Sequence, residues 1–144
     1  MSNEKQEGAR IAMVFALRMG QETSPGHTAE ILTGILKEAA LALAPVIGRE
    51  GAPALLKRSV VLTASRHPWL LEAGRNGTSP MDFGMLKLLI ESQTKETALA
   101  GSTTLISQFY GLLSNLIGSS LADRILESAW VDSPRDTTAQ DHLS

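Results

Sequence analysis

The chain has 144 residues, of which 43% are hydrophobic and 19% are charged, the size and composition of one globular domain rather than of a disordered chain. It contains no cysteine, which excludes disulfides, thiolate nucleophiles and cysteine-based zinc sites. The formal net charge of −2 supplies no overall positive field, so nucleic acid is not expected as a partner.

Hydrophobic periodicity predicts helices along the whole chain, and no segment shows the period-two alternation of a strand. Glycines at the ends of the apolar runs are typical of helix C-termini, and Pro68 is expected to end the third helix just before it. Pro45 predicts a kink or an early stop in the second helix. The predicted helices span about 8–19, 28–47, 51–66, 79–93, 97–117 and 120–131.

The fold class expected from this pattern is all-α, a single-domain bundle of about six helices. Residues 8–131 form the predicted domain. Residues 1–7 and 132–144 are polar and poor in apolar side chains, so both are expected to be disordered tails. The polar start of the chain does not resemble a secretory signal, and the expected location is the cytoplasm.

An internal repeat is suggested when residues 31–61 are aligned without gaps on residues 101–131. The alignment gives seven identities and predicts two similar three-helix halves, with the two long helices side by side near a pseudo-twofold axis. Similar apolar patterning in two helix–glycine–helix units is the alternative explanation. The identical pairs are Thr33/Thr103, Leu43/Leu113, Ile47/Ile117, Gly48/Gly118, Ala52/Ala122, Leu56/Leu126 and Val61/Val131.

The fifth predicted helix is unusual because residues 97–122 carry no charge. The segment is long enough to cross a bilayer, but its many serine, threonine and amide side chains argue against a membrane span. Its apolar residues are predicted to form one arc that faces the core. That arc comprises Leu105, Ile106, Phe109, Leu112, Leu113, Leu116 and Ile117.

The opposite face of this helix carries small or neutral residues, which include Ser107, Gly111, Ser114 and Gly118. Small residues four apart allow another backbone to approach closely. Three interpretations remain open: a central helix enclosed by its own chain, a homodimer or partner surface, and a polar-lined ligand pocket.

Residues that could carry chemistry are sparse. His27 and Glu30 are three apart and could share a helix face as metal ligands do, but no second pair exists, so neither a metal nor a cofactor is predicted. Residues 48–51 and 74–77 each place an arginine between glycines. Such a loop could hold an anion or could simply break two helices.

A helix-turn-helix is one alternative interpretation. Ala44, Gly48 and Ala54 have its spacing, with Lys57, Arg58 and Arg66 following them. Pro45 inside the first helix of the motif and the acidic balance of the chain argue against it.

The leading hypothesis is a non-enzymatic regulatory or adaptor domain that acts through protein–protein contacts and self-associates as a homodimer. The alternatives are a helix-turn-helix transcriptional regulator and a ligand-sensing helical domain with an apolar pocket. No catalytic residue is predicted and no membrane partner is expected. The predicted interface residues are Ser107, Gly111, Ser114, Gly118, Val61 and Trp130.

Overall fold

The computed structural model describes residues 24–74 and 82–131, and every regular element in these two ranges is helical. The all-α fold class is therefore confirmed. The predicted helix 8–19 and both predicted tails lie outside the described residues. The helices are α1 (Pro25–Ile47), α2 (Gly51–Ala64), a 3-10 helix (Pro68–Gly74), α3 (Phe83–Glu91), α4 (Lys95–Ile117) and α5 (Ser119–Val131).

Side-chain caps explain where three of these helices begin. Ser24 Oγ accepts the His27 N–H of α1 at 3.2 Å, and Thr94 Oγ1 accepts the Thr97 N–H of α4 at 3.1 Å. Asp82 Oδ1 caps α3 by accepting from the backbone N–H of Met85 at 3.0 Å. The helix predicted over 79–93 included Asp82, but Asp82 is the cap and the first helical residue is Phe83.

Both long helices end at a glycine with positive φ, +91° at Gly48 and +90° at Gly118. A residue with a Cβ atom would be strained at this positive φ, whereas glycine is not. The N–H of each glycine closes the last turn, by donating to Ala44 O at 2.9 Å and to Ser114 O at 2.8 Å. Of the kink or early stop predicted at Pro45, the early stop does not occur, because α1 continues to its predicted end at Ile47.

The two predicted halves share several structural features at an offset of 70 residues. Helices α1 and α4 are each 23 residues long, and their caps and terminal glycines occupy equivalent positions. The two long helices contact each other, and each packs against the shorter helix of the other half, α1 on α5 and α4 on α2. The packing of these four helices is therefore reciprocal.

The core lies between these helices, and many of the same positions are buried in both. The shared buried pairs are Thr28/Ala98, Ile31/Gly101, Leu32/Ser102, Ile35/Leu105, Leu36/Ile106, Ala39/Phe109 and Leu43/Leu113. Thr33 lies on this buried face as well and is 6% exposed. Its hydroxyl remains satisfied because it donates to Ala29 O at 2.8 Å.

The predicted apolar arc of α4 needs correction. Leu116 is 57% exposed, whereas Tyr110 and Ser114 are buried. The buried face is broader than the arc because Tyr110 reaches α5, where its hydroxyl donates to Asp123. Within the described residues, no helix has the length and apolarity needed to cross a membrane.

Candidate ligand-binding groove

An apolar groove lies where α1 and α2, the helices of the first half, meet α3. Its volume is about 490 Å³, within the range of about 300–1,000 Å³ typical of small-molecule sites. The lining is almost entirely nonpolar, with two cationic side chains. The lining residues are Lys37, Ala40, Leu41, Ala44, Arg49, Ala52, Pro53 and Phe83.

The spacing of these residues follows from helix geometry. Lys37, Ala40, Leu41 and Ala44 recur every three or four residues, so they share one face of α1. Alanine methyl groups are too short to fill the space in front of this face. The break at Gly48 brings the start of α2 back against the end of α1, and Phe83 forms another wall from the start of α3.

The charged groups of the groove are both positive. Lys37 Nζ lies 5.5 Å from the centroid of the Phe83 ring, a cation–π contact that holds the ammonium beside the apolar lining. The Arg49 side chain is exposed. Within residues 24–74 and 82–131, neither cation makes an ion pair with a carboxylate, so the groove combines an apolar lining with a positive edge.

In the second half the position equivalent to Ala40 carries an aromatic ring. Tyr110 stands 70 residues after Ala40, and its side chain is fully buried. The Tyr110 hydroxyl donates a hydrogen bond of 2.7 Å to Oδ1 of Asp123, the residue equivalent to Pro53. The first half lacks both the ring and its acceptor, which explains why the groove is open there.

The predicted α4 surface is equivalent to this groove, because Ser107, Gly111 and Ser114 correspond to Lys37, Leu41 and Ala44. Ser114 is only 4% exposed, and its hydroxyl donates to Gly111 O at 3.2 Å, so its side chain is not available to a partner. Ser107 and Gly111 are half-buried and Gly118 is exposed. A Cβ placed on Gly111 would meet no atom within 4 Å.

The other two predicted interface residues lie elsewhere on the molecule. Val61 is 45% exposed on α2. Trp130 belongs to α5, but its side chain is outside what the structure describes. Of the cations in the predicted helix-turn-helix, Arg58 and Arg66 are exposed and Lys57 is half-buried.

A contact that the sequence analysis missed joins the 3-10 helix to α4. A Cβ added to Gly101 would lie 2.5 Å from Cζ2 of Trp69, so the indole packs directly on the glycine backbone. Nearby, His67 Nε2 is 3.3 Å from Thr104 Oγ1. The equivalent of Gly101 in α1 is Ile31, so the two halves differ here as well.

The described residues contain no cluster of three or more His, Asp or Glu side chains able to hold a metal ion. His27 and Glu30 are both exposed near the start of α1. Comparison with known protein families, with curated proteins and with solved structures gave no match. The geometry of the groove is therefore the basis on which a function can be proposed.

Proposed function

We propose that this chain is a non-enzymatic ligand-sensing domain that takes the apolar part of a small molecule into the groove beside Ala40. The observation that carries this proposal is the difference between the two halves. At equivalent positions, Tyr110 fills one surface with an aromatic ring and Ala40 leaves the other open. A ligand in the groove makes the contacts that the Tyr110 ring makes in the second half.

The energetic basis is the removal of apolar surface from water, which contributes about 25 cal/mol for each Å² buried. Leu41 is 69% exposed in the structure, although it borders the groove. A bound apolar group would cover part of Leu41 and of Phe83 while leaving the core unchanged. The groove is formed by helices that already pack together, so binding does not need to order them.

The test is a fluorescence titration with N-phenyl-1-naphthylamine, an uncharged probe whose emission rises in apolar sites. The wild-type chain is expected to give a saturable increase. The double variant Ala40→Tyr/Pro53→Asp, which copies the ring and acceptor of the second half, is expected to weaken probe binding at least tenfold. Circular dichroism establishes that the variant retains its helices.

Ala100→Tyr is the matched control, because Ala100 is exposed on α4 and does not line the groove. It should bind the probe as the wild type does. Absence of saturable binding to the wild type, or equal binding to the filled variant, would refute the proposed function.

A regulatory or adaptor domain acting through self-association is a second candidate. It is favoured by the open space at Gly111 and by the exposure of Val61 and Leu116, at 45% and 57%. Ser107→Arg and Leu116→Glu should each convert a dimer to a monomer in light scattering. A monomeric wild type at all concentrations would remove this candidate.

A further inference from the structure

We infer that the ligand of the groove is an apolar small molecule that carries one carboxylate, bound between Lys37 and Arg49. This inference depends on the proposed function and adds the chemical class of the ligand. The apolar body would lie against Ala40, Ala44 and Phe83. The carboxylate would remain at the edge of the groove, in contact with both cations and with water.

Comparison of the two halves is again the basis. The positions equivalent to Lys37 and Arg49 are Ser107 and Ser119, which are neutral. The half whose surface is filled by Tyr110 therefore has serines where the open half has cations. The two cations line the same groove that is open to a ligand. Their positive charge favours an anionic ligand over a neutral or cationic one.

The placement of the two cations suits a carboxylate at the groove edge. The contact with Phe83 holds the Lys37 ammonium beside the apolar lining, and ammonium acts on an anion as a point charge. Arg49 can offer two parallel N–H donors to one carboxylate. Since both side chains are exposed, water screens them, and we expect a modest combined effect of about five- to tenfold in affinity.

Competition experiments can separate the contribution of charge from that of the apolar body. Decanoate, 1-decanol and decyltrimethylammonium are titrated, below their micelle concentrations, against the wild-type chain loaded with N-phenyl-1-naphthylamine. The same titrations are made on Lys37→Gln/Arg49→Gln. Loss of both cations should weaken decanoate about five- to tenfold, leave decanol unchanged and strengthen the cationic competitor.

Arg58→Gln/Arg124→Gln is the control, because it removes the same charge from exposed positions on α2 and α5 outside the groove. It should leave decanoate binding within twofold of the wild-type value. Probe and decanol binding without any effect of Lys37 and Arg49 on decanoate would overturn this inference and leave the proposed function standing. Equal weakening by the control pair would overturn it too, whereas no probe binding at all would refute both.

Discussion

Tyr110 on α4 donates a hydrogen bond of 2.7 Å to Asp123 on α5, and its ring is completely buried between these helices. In the first half, alanine and proline stand at the two equivalent positions. These two positions are among those at which the two helix junctions of the chain differ. This difference identifies the groove as the candidate site.

Replacement of Tyr110 should show how much the ring and the hydrogen bond each contribute to folding. Tyr110→Phe removes only the hydroxyl and should lower the free energy of unfolding by about 1.5–3 kcal/mol, because the acceptor is a carboxylate. Tyr110→Ala also empties the buried space and should cost about 3–5 kcal/mol. Urea unfolding followed by circular dichroism measures both, and equal losses would contradict a filling role for the ring.

The contact between Trp69 and Gly101 predicts opposite effects for two glycines of the same helix. Gly101→Ala forces a methyl group into the indole, which would be 2.5 Å away, and should destabilise the chain by about 1–3 kcal/mol. Gly111→Ala meets no atom within 4 Å and should stabilise it by about 0.5–1 kcal/mol. Thermal unfolding of the two variants provides the comparison, and a stabilising Gly101→Ala would disprove the packing.

Substitution of the two glycines that end the long helices should lower the free energy of unfolding by similar amounts. Gly48→Ala and Gly118→Ala each place a side chain at φ near +90°, which should cost about 1–3 kcal/mol. Gly26→Ala is the control, because Gly26 lies in the first turn of α1 with no neighbour within 4 Å of a new Cβ. Chemical denaturation should rank the first two together and the control near or above the wild type. A harmless substitution at either terminal glycine would show that this helix end tolerates a side chain.

Ser102 provides a prediction about a buried polar group. Its side chain is 1% exposed, and its hydroxyl has no hydrogen-bond partner in the described structure. Ser102→Ala should therefore raise the free energy of unfolding by about 1 kcal/mol, since the variant no longer buries a hydroxyl that lacks a hydrogen-bond partner. A loss of stability on this change would mean that the hydroxyl has a partner in solution.

Much of the fold follows from patterns that sequence analysis can detect. Apolar periodicity and helix-ending glycines predicted α1, α4 and α5 to within three residues at each end. The equivalent positions of the helix-ending glycines Gly48 and Gly118 were also predicted, by the alignment of residues 31–61 with 101–131. Apolar periodicity and helix-ending glycines are local signals, and the alignment compares residues of the same type. Neither kind of signal depends on how the helices pack.

The groove was not predicted, because it depends on the space that the small side chain of Ala40 leaves unfilled. The same alignment that pairs Ile47 with Ile117 also pairs Ala40 with Tyr110 and Pro53 with Asp123. The differences within these two pairs indicate a filled surface beside Tyr110 and an open one beside Ala40. Instead, the absence of charge on α4 directed attention to Ser114, which proves to be buried because Tyr110 broadens the covered face of that helix.

The central claim is that a ligand enters the first half and not the equivalent surface of the second. The most direct measurement is an amide ¹H–¹⁵N correlation spectrum of the wild-type chain titrated with N-phenyl-1-naphthylamine. Saturable shifts are expected at Ala40, Leu41 and Ala44, with little change at Tyr110, Gly111 and Ser114. Shifts of equal size in both sets, or none in the first, would contradict the account.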